Sequence, residues 1–171
     1  MFKNERKGFT LIELLVVVAI VGLLATVIFA ALSPARLRGR DAKRKSDVHQ
    51  IILAIELYFN TNGTYPISGG ATAPNAGWSN SSDNSWTSLA TQLAPFLGSL
   101  AKDPNQSTDP NIWGINGGAY SYVNCGPFYM FVYRTEEAKG PDPGANYCGG
   151  LFYQYGGTGA NTFIKTIGNS Y

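Results

Sequence analysis

Lys7-Gly8-Phe9-Thr10-Leu11-Ile12-Glu13-Leu14-Leu15-Val16-Val17 is the stretch that decides how this chain is read. It opens an apolar run that continues to Leu32, and from Leu14 to Leu32 nineteen residues pass without a charge. At the α-helical rise this is about 28 Å, against a bilayer hydrocarbon core of roughly 30 Å. The segment is therefore long enough to span a membrane. A secretory signal peptide would have a shorter apolar core, about 7 to 15 residues, followed by a small-residue cleavage site. Here the small residue, Gly8, precedes the run and follows a polar leader containing Lys3, Arg6 and Lys7. A cut at Gly8 would leave the hydrophobic helix on the product.

Outward from that stretch, the 171 residues fit one small domain, and with 14% charged residues, 20 Gly and 10 Tyr they resemble neither a charge-driven disordered chain nor an ordinary cytosolic enzyme. Charge is unevenly placed. Arg36 to Lys45 holds six basic residues and one acid, a net of +5, whereas Ser46 to Tyr171 holds four basic residues and eight acids, a net of −4. His49 is the single histidine, so most hydrolytic and metal constellations lack their parts. No activated nucleophile is apparent. The reading is therefore not an enzyme, with no catalytic residue, cofactor or metal site assigned.

The residues Lys7 to Val17 closely resemble the prepilin signal of type IV pilins and type II secretion pseudopilins, with strong similarity over roughly Lys7 to Ala25. The resemblance implies that a prepilin peptidase cuts after Gly8 and that Phe9 is N-methylated. It also implies that Glu13 pairs with the new amine of a neighbouring subunit during assembly. A carboxylate near the end of a membrane helix is costly and calls for such a partner. The plain alternative is a carboxylate snorkelling at the interface. Gly22 is a weak helix point, since glycine lowers helix propensity by about 1 kcal/mol relative to alanine. Family members often carry a proline in the later half of the apolar segment; here Ala30 and Ala31 stand there and the proline comes at Pro34.

Ser33-Pro34 reads as a helix cap with a first-turn proline, or as a kink in one continuous helix, which is the preferred reading. From Val48 the positions Ile51, Ile52, Ile55, Tyr58 and Phe59 follow three- and four-residue spacing, so one face can cover a domain. Asn62-Gly63 ends the helix. Between the lipid-facing and core-facing halves lies the basic neck: Arg36, Arg38, Arg40, Lys43, Arg44 and Lys45, with Asp41. Counting Lys and Arg near the membrane ends would put this neck in the cytoplasm. The resemblance demands the opposite, and the reading follows the cleavage motif. Three partners suit the neck: acidic surfaces of neighbouring subunits, anionic lipid headgroups, and DNA phosphate. A solvated helix face is the plain alternative. Neither a recognition fold nor interleaved aromatics accompany the run, so nucleic acid is not an expected partner.

The exported part, 64–171, begins with a Gly-, Ser- and Asn-rich loop from Pro66 to Asp83. A short helix is expected over Ser85 to Leu100. Strands are expected at Ala119 to Asn124, Phe128 to Arg134, Gly150 to Tyr155 and Thr162 to Ile167, where Tyr, Phe and Val are enriched between Gly and Pro turns. Cys125 and Cys148 are the only cysteines, and an even count in an exported domain reads most naturally as a disulfide. Two reduced buried thiols are the alternative. Asp103, Asp109 and Asp142 could offer oxygen to calcium, but the segment from Asp103 to Asp109 matches no EF-hand loop and turn chemistry explains its Asp-Pro step. Trp78, Trp86 and Trp113 could form a sugar-binding platform, although core placement is the commoner outcome for such residues.

The resulting expectation is an α+β, pilin-like fold: a long N-terminal helix, half transmembrane and half amphipathic, packed against a small antiparallel sheet. Its parts are a prepilin leader (1–8), a transmembrane filament-core helix (9–33), the basic neck with the amphipathic half (34–63) and the globular domain (64–171). The implied function is a filament subunit, with a type II secretion or competence pseudopilin as the alternative. A monomeric membrane-tethered glycan binder is the rival from a different class. Implied partners are copies of itself in a helical homopolymer, prepilin peptidase, an inner-membrane assembly platform, minor pilins, and the lipid bilayer before assembly. The chain would begin as a single-pass cytoplasmic membrane protein with its C-terminal domain outside, then join an extracellular filament.

Overall fold

Helix α1 (Leu11–Asn62) takes up the apolar run, the basic neck and the amphipathic stretch in 52 residues, with Pro34 inside it. Ser33-Pro34 therefore begins no new helix, and Gly22 interrupts none. The computed structural model describes residues 8–69, 77–105, 120–136, 145–148, 151–153 and 163–167, so residues 1–7 of the expected leader lie outside it. Two compact units divide the chain, Met1–Leu37 and Arg38–Tyr171.

In the first unit the helix is apolar on every side, and its side chains are uncovered: Leu11 is 85% exposed, Val18 61% and Ile28 64%. A helix apolar all round belongs in a core or a bilayer. It is long and apolar enough to cross a membrane. Thr26, the one polar residue of its later half before Ser33, donates its hydroxyl to Leu23 O at 2.7 Å and so brings no unsatisfied group into apolar surroundings.

In the second unit the same helix becomes one-sided. Val48, Ile51, Ala54 and Ile55 are buried, while Leu53 and Leu57 on the same stretch stay exposed. The buried stripe packs on helix α2 (Ser85–Leu93) through Trp86, Leu89 and Leu93, and on the sheet through Tyr120, Tyr122, Tyr129, Phe131 and Tyr133. The stop is local: Gly63 has φ +72°, a conformation glycine adopts without strain, and its N–H reaches Phe59 O at 2.8 Å.

The sheet contains β1 (Ser79–Asn80), β2 (Ser121–Asn124), β3 (Tyr129–Thr135) and β6 (Phe163–Ile167) in the order β1-β2-β3-β6, every neighbour antiparallel. β4 (Ala145–Tyr147) and β5 (Leu151–Tyr153) form a separate antiparallel pair. Tyr122 faces Phe131 in the register, and the period of two sends Tyr120, Tyr122, Tyr129, Phe131 and Tyr133 toward the helices. Val123, Met130 and Val132 form the opposite face with Trp78, against which Cys125 and Cys148 pack.

The α+β architecture is as expected, with shifts in detail. α2 stops at Leu93, short of the expected Leu100, because Pro95 has no N–H to donate to the carbonyl four residues earlier. Phe96, Leu97 and Leu100 still pack against the core from the turns that follow. Strand limits differ by one or two residues, β1 falls in the stretch read as loop, and β4 falls where no strand was expected.

Candidate functional site

The start of α1 is built on three residues. Thr10 precedes the first helical residue; its N–H and hydroxyl both donate to Glu13 Oε2, at 2.9 and 2.7 Å, while the Glu13 N–H returns to Thr10 Oγ1 at 3.3 Å. This is a capping box, in which two side chains reciprocally satisfy amides that open a helix. Glu13 also carries negative charge in the first turn, where the helix dipole favours it. Gly8 and Phe9 lie ahead of the helix, with Phe9 86% exposed, so the Gly8-Phe9 peptide bond sits in accessible, non-helical chain.

The neck divides sharply. Arg44, 2% exposed, lies at the centre of a buried ion cluster. Its Nε and Nη2 donate to the two oxygens of Asp103 at 2.8 and 2.9 Å, a bidentate pair, and its Nη1 donates to Asp41 Oδ1 at 2.7 Å and lies 2.8 Å from Glu136 Oε1. Arg40 forks onto the same Glu136, with Nε at 2.6 Å from Oε1 and Nη2 on Oε2. The Glu136 N–H donates to both Asp41 oxygens, at 2.8 and 3.0 Å. Lys43 bridges to Asp47 at 3.0 Å, and Asp47 also accepts the Tyr120 hydroxyl at 3.2 Å. Arg36, Arg38 and Lys45 are exposed.

Electrostatics follow from this packing. Burial pulls the Arg44 guanidinium down, but the hydrogen bonds and charges of Asp103, Asp41 and Glu136 outweigh it and hold the group above its ordinary value. Hydrogen bonds from Arg40 and then Arg44 hold the Glu136 carboxyl below the usual range against a smaller effect of burial. Burial pushes the Tyr120 hydroxyl up, and the negative charges of Asp47 and Asp103 add to it.

Comparison with known proteins bears on the N-terminal element. Residues 3–29 match the family described as the prokaryotic N-terminal methylation motif. The chain is 41% identical over 62 residues to the type IV wide pilus major component PilA4 of Thermus thermophilus, covering 36% of this chain and 47% of that protein. It is 33% identical over 66 residues to type II secretion system core protein G of Pseudomonas aeruginosa and of Aeromonas hydrophila, covering 39% of this chain and 46% of each. The N-terminal part of the chain is therefore similar to those of type IV pilins and type II secretion pseudopilins. It spans about half the length of the curated relatives it matches. No solved structure matches it.

The site residues fall into separate groups. Gly8, Phe9 and Glu13 stand together at the start of α1, joined by Thr10, which the sequence reading missed although its Thr-x-x-Glu spacing is the pattern of such a box. Arg40, Lys43 and Arg44 pair with acids of their own chain, Arg44 buried and Lys43 exposed, and Arg36, Arg38 and Lys45 are exposed, so the six are not equivalent. Asp103, weighed as a calcium ligand, is committed to Arg44 and to the Asn105 N–H at 2.8 Å; Asp109 and Asp142 lie outside the described residues. Among the described residues no cluster of His, Cys, Asp or Glu is arranged to hold a metal ion. Cys125 and Cys148 form a disulfide with Cα atoms 4.8 Å apart, joining the turn after β2 to the end of β4. The surface platform of tryptophans is overturned for the two that are described. Trp86 is 2% exposed and donates Nε1–H to Ala101 O at 3.1 Å, and Trp78 is 8% exposed under the sheet. Trp113 lies outside the described residues.

Proposed function

We propose that this protein is the structural subunit of a type IV pilus-like filament, cleaved after Gly8, N-methylated at Phe9 and assembled through its hydrophobic helix. The observation that carries the reading is an apolar helix uncovered on all sides, opened by the motif around Gly8 and Glu13. Before assembly the bilayer covers that helix; afterwards copies of the same helix do, and helix burial drives polymerisation. Prepilin peptidase and an inner-membrane assembly platform are its partners in this scheme. The globular part starts outside the cytoplasmic membrane and ends on the filament surface.

Glu13 has two oxygens. Oε2 is taken by Thr10, which leaves Oε1 for the N-terminal amine of a neighbouring subunit. Such an amine exists only after cleavage, so the pairing admits processed subunits and rejects unprocessed ones. The test is Glu13→Ala in cells making prepilin peptidase: the variant is expected to be cleaved and retained in the membrane without filaments. Filaments at the wild-type level would remove Glu13 from assembly. The similarity to core protein G favours one second reading, a type II secretion pseudopilin whose filament stays within the envelope. Shearing intact cells separates the two, because only a surface filament is released.

A further inference from the structure

The Arg44 cluster joins three segments that are distant in sequence: α1 through Arg40, Asp41 and Arg44, the loop after α2 through Asp103, and the exit of β3 through Glu136. Among the described residues its ion pairs set two guanidinium groups against three carboxylates. Asp41 and Asp103 are buried with Arg44, whereas Glu136 is partly open to solvent. The apolar core beside it is of a different kind. Ile51, Ile55, Trp86, Leu89 and Phe131 carry no charge, and the disulfide ties the hairpin turn of β2 and β3 independently.

We propose that the Asp41–Arg44–Asp103–Glu136 cluster is an acid-operated latch, which releases residues 38–47 of α1 from the loop after α2 and from the end of β3 while the apolar core stays packed. The argument turns on arginine. A buried lysine or histidine can shed its proton when its counter-charges vanish, but a guanidinium cannot. In acid strong enough to leave no anion around it, Arg44 becomes a buried charge without a partner, a state costly enough that the side chain must reach water. That movement takes its helical turn away from the loop. Glu136 is held below the ordinary carboxylate range, which sets the opening on the acid side of that range. The other titratable groups facing the cluster work in the same direction or stand aside. Lys43 and Asp47 pair with each other, Tyr120 donates to Asp47, and the Tyr133 hydroxyl is pushed up by burial and by Asp41, so both tyrosines stay neutral in acid.

The experiment is hydrogen exchange read by mass spectrometry on the full chain in detergent micelles from pH 7 to pH 3, with exchange times scaled to equal intrinsic rates. Peptides within 38–47 are expected to exchange about tenfold faster below about pH 4, while peptides covering 51–58 and 86–93 keep their protection. Simultaneous loss in all of these segments, or no loss down to pH 3, would overturn the latch. A companion variant, Asp41→Asn with Asp103→Asn and Glu136→Gln, which removes every carboxylate that Arg44 binds, is expected to open 38–47 already at pH 7 and to show no further acid response. Full protection of 38–47 in that variant at pH 7, or loss of core protection along with it, would equally overturn the proposal.

Discussion

Replacing Arg44 with alanine removes the centre of the neck cluster. The side chain is 2% exposed, and its partners Asp41 and Asp103 are 5% and 0% exposed, so the substitution removes the guanidinium that two buried carboxylates share. Breaking a buried ion pair from one side costs about 3–5 kcal/mol, because the abandoned charge stays desolvated. For a domain of this size 1 kcal/mol moves the melting temperature by roughly 3–5 °C, so Arg44→Ala should melt on the order of 15 °C below the wild type at neutral pH. Lys45→Ala, one residue along and exposed, should stay within about 0.5 kcal/mol. The assay is thermal unfolding of the full chain in micelles, followed by circular dichroism and tryptophan fluorescence. Lowering the pH should narrow the gap, since the wild type loses the stabilisation of the Glu136 carboxylate, which is held below its ordinary value, as pH falls through the folded value. A variant melting within about 3 °C of the wild type would refute the reasoning, because a buried charge cluster worth so little cannot be holding three segments together.

Three further outcomes follow from the geometry. The disulfide closes a loop with a sequence separation of 23, for which chain entropy gives about 3.4 kcal/mol, so Cys125→Ser with Cys148→Ser should lose about that much in denaturant titration; a loss under 1 kcal/mol would contradict it. Because the folded Glu136 carboxyl is held below its ordinary value, its stabilisation is complete above the ordinary glutamate range near 4.3 and is lost as pH falls through the folded value. Glu136→Gln should therefore be less stable than wild type at pH 7, and the difference should shrink in melts taken at progressively lower pH; a constant gap would count against the ion pairs. Gly63→Ala places a side chain at φ +72° with open space around its Cβ, so strain alone should cost about 1 kcal/mol in the same unfolding assay.

How legible these features were depended on the range over which each is encoded. The long helix was visible because an uncharged run of membrane length and the spacing of Ile51, Ile55 and Tyr58 are both local patterns. The strands were visible within a residue or two because the alternation of Tyr120 with Tyr122, and of Tyr129 with Phe131 and Tyr133, repeats with period two. β1 was invisible for the opposite reason. Two residues have no period, and Ser79 and Asn80 are polar residues buried by hydrogen bonds, including Ser121 Oγ to Asn80 Oδ1 at 2.6 Å. The neck is the clearest case. Asp41 with Arg44 and Lys43 with Asp47 stand at helix spacings readable from sequence, but Asp103 and Glu136 lie 59 and 96 residues from the arginines they bind. Charge counting saw a basic neck and an acidic body and paired them between subunits; folding pairs much of that charge within one.

The central claim is that this chain is a processed filament subunit, and the most direct test is intact mass and N-terminal sequence of the protein in material sheared from producing cells, with washed membranes measured in parallel. The account predicts a chain beginning at N-methylated Phe9, lighter by two hydrogens for the Cys125–Cys148 disulfide, in material that pellets as filaments. Full-length protein beginning at Met1, confined to membranes of cells with active prepilin peptidase, would contradict it.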